Sequence, residues 1–298
     1  MLRLAVATDA DTFERMGEPL GERGIEVDYV ETSERTVPLD GSAFGEYDVG
    51  FVFPPRLAEG GVADALLDVP WVNGREEILR SRHKGEALAR LRRAGVPTPE
   101  TVVVSNPVDE ADLREAFDRF DPPVVVKPNA TTRGVGVAKA ADPDSFLGVC
   151  DYLDLVHDYR ATGDQSFLVQ EFLPDARDYR AMVLDGEYVG AVERRLPEDA
   201  LEAGRWKHNV HRGAEAIGVD LDPDLRRLAE QTAAALDVDV LGVDLLVTDD
   251  RAVVNETNAR PTIDSATKYE DGFWDRLATL IRETAERRAS GNADGREY

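Results

Sequence analysis

Residues 242–258 read Gly-Val-Asp-Leu-Leu-Val-Thr-Asp-Asp-Arg-Ala-Val-Val-Asn-Glu-Thr-Asn, and they restrict the fold more than any other stretch of this chain. Apolar runs over 242–247 and 252–257 flank the polar Asp249-Asp250, the pattern of a β-hairpin. Side chains alternate along a strand, so Glu256 and Asn258 leave the same face. A three-residue turn of Asp249, Asp250 and Arg251 would set Asp244 directly opposite Glu256 on that face. Two carboxylates and an amide oxygen then converge. That hard-oxygen set suits Mg2+ (or Mn2+), with waters and phosphate oxygens completing the coordination. The competing reading is a solvent-facing hairpin decorated with acids.

Composition makes that alternative serious. Asp and Glu total 59 against 35 Lys and Arg, a net charge of −24. Such a chain is a poor partner for nucleic acid or an anionic membrane surface, both polyanions. Lysine is scarce (Lys84, Lys127, Lys139, Lys207 and Lys268), and arginine supplies the other cations. Acid excess with few lysines is the pattern of a salt-adapted, halophilic proteome, in which high salt screens the self-repulsion. Cys150 is the single cysteine, which fits a reducing cytoplasm. The first residues carry too short an apolar run for a signal peptide, and no stretch reaches the ~20 apolar residues of a membrane span.

Residues 1–75 alternate strand signals (4–8, 26–30, 49–53, 71–72) with helix signals (12–23, 62–67), as in a small parallel α/β unit. No G-x-G-x-x-G follows the first strand, so dinucleotide binding lacks support. A helix starting at Ser81 carries Ala87, Leu88 and Leu91 and stops at Gly95, ahead of Pro97 and Pro99. A strand at 101–104, a helix at 110–120, the strand Val124-Val125-Val126-Lys127, a loop over 129–136 and a return strand at 137–140 follow. Helical signals then fill 142–162. Strands at 168–172, 179–184 and 188–194, the last two joined by Asp185-Gly186, lead to a helix at 223–236, the acidic hairpin and a closing helix at 272–288. The Gly/Asn/Asp-rich end, 289–298, reads as a disordered tail.

Three more stretches carry chemistry. Val124–Lys127 delivers a lysine to an apolar strand end, and the loop with Gly134 and Gly136 offers backbone N–H groups that can close over phosphates. A snorkelling lysine before an ordinary turn would look similar. Gln170-Glu171-Phe172, with Asp178-Tyr179-Arg180 opening the next strand, offers a strand edge and an aromatic to an adenine and a carboxylate to a ribose. Trp206-Lys207-His208-Asn209-Val210-His211-Arg212-Gly213 concentrates cationic and polar groups in one loop. Zinc at His208 and His211 is disfavoured, because no second Cys/His pair accompanies them.

The order of these features resembles the ATP-grasp superfamily, and within it the RimK-like branch of glutamate ligases that modify ribosomal protein S6. The order runs Lys84, Lys127 with its glycine loop, Gln170-Glu171-Phe172, Asp178-x-Arg180, Lys207-x-Asn209-x-x-Arg212-Gly213, Asp244 and Glu256-x-Asn258. The resemblance covers 1–288. It implies an α/β (α+β) ATP-grasp fold with a Rossmann-like pre-ATP-grasp domain over 1–78 and an ATP-grasp domain over 79–288. Within the latter it implies a lid subdomain over about 100–170 and a C-terminal metal-binding subdomain. Lys84 and Lys127 would bind ATP phosphates, Glu171 and Phe172 the adenine, and Asp178 the ribose. Lys207, His208 and Asn209 would also contact the nucleotide, and Asp244, Glu256 and Asn258 would hold Mg2+ or Mn2+. The chain departs from the branch at Ala259-Arg260-Pro261, where a small Ser/Thr-Pro-Gly loop is expected, and at Arg133.

The implied activity is ATP-dependent carbon–nitrogen ligation: ATP phosphorylates a carboxylate, and an amine then attacks the acylphosphate. The amine would be glutamate or another amino acid, and the acid a peptide, a carrier protein or a small molecule. The enzyme would work in the cytoplasm as a homodimer or homotetramer. Arg180, Arg212 and Arg260 are candidates to clamp a substrate carboxylate, since guanidinium matches it bidentately; surface ion pairing is their bland alternative. Two other readings remain: an ATP-binding sensor or scaffold on the same fold, and a kinase lacking the amine site.

Overall fold

The computed structural model describes residues 1–291 apart from 9, 132–133, 158–163, 209 and 211–212. Arg133, Asn209, His211 and Arg212 therefore lie outside the described residues, as do the last residues of the expected helix at 142–162 and, from 292 on, the expected tail.

The first unit runs β1 (Leu2–Val6), α1 (Ala10–Gly21), β2 (Ile25–Tyr29), β3 (Val49–Phe51), α2 (Leu57–Leu67) and β4 (Trp71–Val72). Its strands form a parallel sheet in the order β2-β1-β3-β4. Crossover helices bury such a sheet, which is why Leu4, Ala5 and Val6 are fully buried in succession rather than alternately. On α1, Thr12, Met16 and Leu20 repeat at four-residue spacing and form the buried stripe.

Two helices follow, α3 (Arg75–Arg82) and α4 (Lys84–Arg93). Ser81 therefore closes one helix instead of starting the next, because His83 adopts extended backbone (φ −87°, ψ 104°) and breaks the run. Lys84 becomes the first residue of α4. Asn129 caps that helix from a distant loop: its Oδ1 accepts from the Gly85 N–H (2.9 Å) and its backbone carbonyl accepts from the Lys84 N–H (3.2 Å).

A second sheet is antiparallel, built from β5 (Thr101–Ser105), β6 (Val124–Pro128), β7 (Ala138–Ala140) and β8 (Ser166–Glu171) in the order β5-β8-β6-β7. Helices α5 (Glu110–Asp118) and α6 (Pro143–His157) cover one face, packing Phe117 and Phe146 against Val104, Val124, Val126, Phe167 and Val169. Val103, on the opposite face, is half exposed, as period-two alternation requires.

The third sheet contains β9 (Arg177–Leu184), β10 (Glu187–Arg195), β11 (Glu215–Val219), β12 (Val240–Val247) and β13 (Ala252–Asn258) in the order β11-β10-β9-β12-β13. A short β14 (Lys268–Tyr269) pairs with β10. Helices α7 (Glu198–Glu202), α8 (Pro223–Leu236) and α9 (Phe273–Gly291) complete the described chain. β11, β14 and α7 are absent from the sequence reading; each is short, and β11 is mostly exposed, so none writes a hydrophobic period.

The hairpin of β12 and β13 corrects the expected turn. Val247 pairs with Ala252, and the Thr248 N–H donates to the Arg251 carbonyl (2.9 Å), so the turn has two residues, Asp249 and Asp250. That register would pair Asp244 with Asn255 and put Glu256 on the opposite face. A β-bulge intervenes: Leu245 pairs with Val254 but Asp244 pairs with Glu256, leaving Asn255 as the extra residue. The expected pairing holds, and an inserted residue rather than the turn produces it.

The first and third sheets share one core. Leu4, Phe51 and Val72 pack in the same cluster as Met182, Leu241, Leu277 and Ile281. Asn73, almost fully buried at φ 55°, pins the junction: its amide nitrogen donates to the Val240 and Ala259 carbonyls, and its amide oxygen accepts from the Val240 N–H (3.0 Å). Asn is among the few residues that tolerate this left-handed backbone. Asn73→Ala strands three buried backbone groups at a strained position. We expect it to lower unfolding stability by about 3 kcal/mol or more, read as the urea midpoint at constant slope.

Candidate functional site

The site lies on one face of β9, β12 and β13. Arg180 pairs in register with Asp244, and Asp244 with Glu256, so one row of the sheet reads arginine, aspartate, glutamate. Asp178 and Arg194 face each other one step along, on β9 and β10. Period-two alternation puts all five side chains on the same face.

Asp244 is nearly buried. Arg180 donates to it through two bonds, Nε to Oδ1 (2.7 Å) and Nη2 to Oδ2 (2.9 Å), and Arg194 Nη2 stands 3.0 Å from Oδ2. Arg194 also donates through Nε to Asp178 Oδ1 (2.8 Å), with His208 Nδ1 3.8 Å from the other carboxylate oxygen. Two acids and two arginines thus form a buried, charge-balanced layer. Burial opposes ionisation of Asp244, but Arg180 and Arg194 outweigh it and hold that carboxyl far below the usual range. Asp178 moves the other way, pushed up by burial and by the Asp244 charge against the pull of Arg194. Burial, with Arg194 nearby, pushes His208 down. Arg180 was expected to clamp substrate; the structure places its guanidinium on Asp244 because the two strands put those residues side by side.

The lysines come from the neighbouring elements. Lys84 is buried at the start of α4, donates to the Thr131 carbonyl in the loop after β6, and lies 3.4 Å from Glu256 Oε1. Lys127 Nζ donates to Asn255 Oδ1 (2.9 Å), so the bulge residue itself receives the second lysine. Burial pushes the Lys127 ammonium down to about 8, with Lys84 adding to the shift and Glu256 opposing it.

Asp244, Glu256 and Asn258 do converge on one face. Among the described residues no group of three or more His, Cys, Asp or Glu is disposed to hold a metal. The donor chemistry fits Mg2+: two carboxylates and an amide oxygen, all hard. Asp244 Oδ1 accepts a single bond and retains a lone pair, Glu256 is one-third exposed beside Lys84, and Asn258 Oδ1 accepts from the Arg260 N–H (2.9 Å).

The expected hinge lies at the end of β8. Glu171 is fixed by the Glu100 N–H (2.8 Å) and by Arg251 Nη2 (2.6 Å). Phe172 meets Trp206 edge-on at 5.7 Å, and Lys139 Nζ sits over both rings, 4.6 and 5.5 Å from their centres. Lys207 lies over Trp206 and donates to the Val137 carbonyl, which ties this loop to the strand pair β6–β7. Arg260 lies apart from these groups. Its Nη2 donates to the Pro54 carbonyl of the first unit, its Nε is buried without a partner, and burial and then Arg82 push its pKa down to about 10.

Arg194, Asn255 and Lys139 were not singled out from sequence, and Trp206 was named only as the first residue of the cationic loop, without a role of its own. For Asn255 a signal existed: a two-residue Asp-Asp turn leaves Asp244 and Glu256 out of register unless one residue bulges.

Comparison with known proteins gives the family and the fold. Residues 81–272 match the RimK-like ATP-grasp domain, and the chain belongs to that family. It is 32% identical over 193 residues to the ribosomal protein bS6–L-glutamate ligase of Escherichia coli O139:H28, a stretch covering 64% of this chain and only 60% of that protein. A probable α-L-glutamate ligase of Shewanella loihica is 30% identical over 307 residues, covering 94% of this chain and 93% of the relative. The fold matches D-alanine–D-alanine ligase from Bacillus anthracis with a TM-score of 0.69 at 16% identity, covering 98% of this chain and all of the other. No helix among the described residues is long and apolar enough to cross a membrane.

Two outcomes test the electrostatics. In a pH titration followed by lysine side-chain NMR, one resonance should move near pH 8 and be missing from Lys127→Met. A value near the ordinary ~10.4 would contradict the burial argument. Arg194→Ala should cost about 3–5 kcal/mol by urea unfolding, because it leaves two buried carboxylates short of a partner, and Asp178→Asn in the same chain should recover part of that.

Proposed function

We propose that this chain is an ATP-dependent carboxylate–amine ligase that forms an amide through an acylphosphate, with an amino acid such as glutamate as the amine. The observation that carries the reading is the convergence on one face of Asp244, Glu256 and Asn258 with two buried lysines, in a member of the RimK-like ATP-grasp family. The relatives named for glutamate ligation support the choice of amine. In this reading 1–78 is the pre-ATP-grasp domain, the β5–β8 sheet is the lid, and the remainder to 288 carries the metal.

Each group then has a task. Lys84, Lys127 and Lys207 neutralise nucleotide phosphates, and His208 and Asn209 would also contact the nucleotide. Glu171 and Phe172 offer the end of β8, a strand paired on both sides, to the adenine, against which Trp206 closes, and Asp178 lies on the ribose side. Asp244, Glu256 and Asn258 would hold Mg2+ or Mn2+, which supplies Lewis-acid neutralisation of phosphate charge. Lys84 pairs with Glu256 and Arg180 with Asp244, so cations already stand beside the carboxylates. Four cations (Lys84, Lys127, Arg180, Arg194) against three carboxylates (Asp178, Asp244, Glu256) leave the face cationic, as an anionic substrate requires. The lid excludes water that would hydrolyse the acylphosphate, and no covalent nucleophile is needed. The acid is a small molecule, a peptide or a carrier protein; cytoplasmic location and assembly as a dimer or tetramer belong to the same reading.

ADP and phosphate should accumulate only when acid and amine are both supplied, with amide detected by mass spectrometry. Glu256→Gln should abolish turnover. ATP consumption that ignores Glu256→Gln would remove the metal assignment, and phosphorylated product without amide would make the protein a kinase. Nucleotide binding with no turnover in any acceptor screen would favour the sensor reading.

A further inference from the structure

Arg82 and Arg260 come from different elements and meet at one loop. Arg260 Nη2 donates to the Pro54 carbonyl, and Arg82 Nη1 lies 3.4 Å from the carbonyl of the next residue, Pro55. Ser81 sets this approach. Its hydroxyl donates to Thr257 Oγ1 (3.0 Å) and accepts from the Ala259 N–H (3.1 Å), which stitches the end of α3 to the end of β13. Arg82 and Arg260 each follow a stitched residue, so they project together.

The receiving loop is built for that approach. Val52 is fully buried and β-branched, yet sits at φ 61°, a conformation that costs energy for such a residue and marks functional turns. Its N–H donates to the Val72 carbonyl (2.8 Å), and the Phe53 N–H donates to the Asn73 carbonyl (2.9 Å). The chain therefore leaves the carboxyl end of β3 in a fixed direction, and ligands of open parallel sheets bind at the carboxyl ends of strands. Pro54 and Pro55 present carbonyls and no N–H groups.

Charge makes the pair unusual. The chain carries 59 acids against 35 Lys and Arg, yet among the described residues neither Arg82 nor Arg260 has a carboxylate partner. Both make do with neutral carbonyls, and Arg260 keeps a buried Nε that donates to nothing. Two like charges brought together with an unused donor call for an anion from outside the chain. The site adjoins Asn258, whose Oδ1 accepts from the Arg260 N–H (2.9 Å), so the anion would lie next to the reacting centre without being part of it.

We infer that Arg82 and Arg260 form a subsite for a substrate carboxylate that is not consumed in the reaction, held against the Pro54-Pro55 loop. This rests on the ligase reading and adds a substrate class: one substrate carries a carboxylate beyond those that react. Guanidinium suits the task because it binds carboxylate through two parallel bonds. Arg82 and Arg260 are specificity residues here, with the phosphates left to the lysines. The carboxylate belongs either to the amino-acid amine or to the acid, and the test separates them.

The full chain is titrated by calorimetry, in the presence of Mg2+ and ADP, with three probes. L-Glutamate represents the amine, N-acetyl-L-glutamate has no free amine and can enter only as the acid, and glycinamide carries no carboxylate. Arg82→Gln, Arg260→Gln and Arg260→Lys are compared with the unaltered chain, and fluorescent ADP binding is followed in parallel. One carboxylate probe should weaken by about 10- to 100-fold in both glutamine variants, the size of a lost charged hydrogen-bond pair. Arg260→Lys should restore part of the loss, glycinamide should not respond, and ADP affinity should stay within about twofold. Which probe weakens assigns the carboxylate to amine or acid. Carboxylate affinity unchanged in both glutamine variants, or no carboxylate binding by the unaltered chain, overturns the subsite. Failure of the unaltered chain to bind ADP overturns the ligase reading instead. Should Arg260→Gln not fold, Arg82→Gln, at a half-buried position, decides alone.

Discussion

A single extra residue in one strand sets the chemistry of this molecule. The two-residue turn at Asp249-Asp250 gives the hairpin a register in which Glu256 and Asp244 would leave opposite faces of the sheet. The bulge at Asn255 shifts the pairing by one and brings Asp244, Glu256 and Asn258 onto a common face. It also turns the Asn255 amide toward Lys127, so the device that aligns the acids simultaneously seats a cation among them. Bulges gather beside active sites because they re-aim side chains without disturbing the strand's neighbours. Here the gain is that Asp244, Glu256 and Asn258 share one face.

The rest of the site follows from keeping that face solvated by charge instead of water. Asp244 is too buried to remain ionised alone, and Arg180 and Arg194 supply the compensation that burial removes. Arg194 spans Asp178 and Asp244 and so fixes both carboxylates with one guanidinium. The layer resists loss of any single member, because a stranded buried charge costs more than the intact network contributes. Above it, Lys84 and Lys127 arrive from α4 and β6, held by the loop around Asn129 and by the bulge. Asn73 ties this sheet to the α/β unit, where the Pro54-Pro55 loop meets Arg260, and Ser81 ties it to α3.

Much of this was legible in the sequence, for identifiable reasons. The parallel unit announced itself through continuous apolar strands, and the lysine at the end of Val124–Lys127 stood out because the chain has so few lysines. The pairing of Asp244 with Glu256 was expected, yet from a three-residue turn the molecule does not have; nothing local in Val253-Val254-Asn255 distinguishes a bulge from a regular strand. Arg194 and Lys139 were invisible because their roles depend on partners 16 or more residues away in the chain. Ser81 was misplaced by one helix, since the break at His83 is a backbone event with no glycine or proline to mark it. Arg180 was a candidate to clamp substrate, with ion pairing to an acid of the chain as its alternative, and only the strand register reveals that its guanidinium has a carboxylate beside it.

The central claim is that the bulged strand brings together one hard-oxygen donor set, Asp244, Glu256 and Asn258, that would hold a divalent ion. A crystal structure of the full chain with Mg2+ and ADP measures this directly. The account places Mg2+ at about 2.1 Å from side-chain oxygens of Glu256 and Asn258, with Asp244 bound directly or through a water and Asn255 still extruded from the ladder. A metal held with no ligand from β13, or a regular strand that points Glu256 away from Asp244, would contradict it.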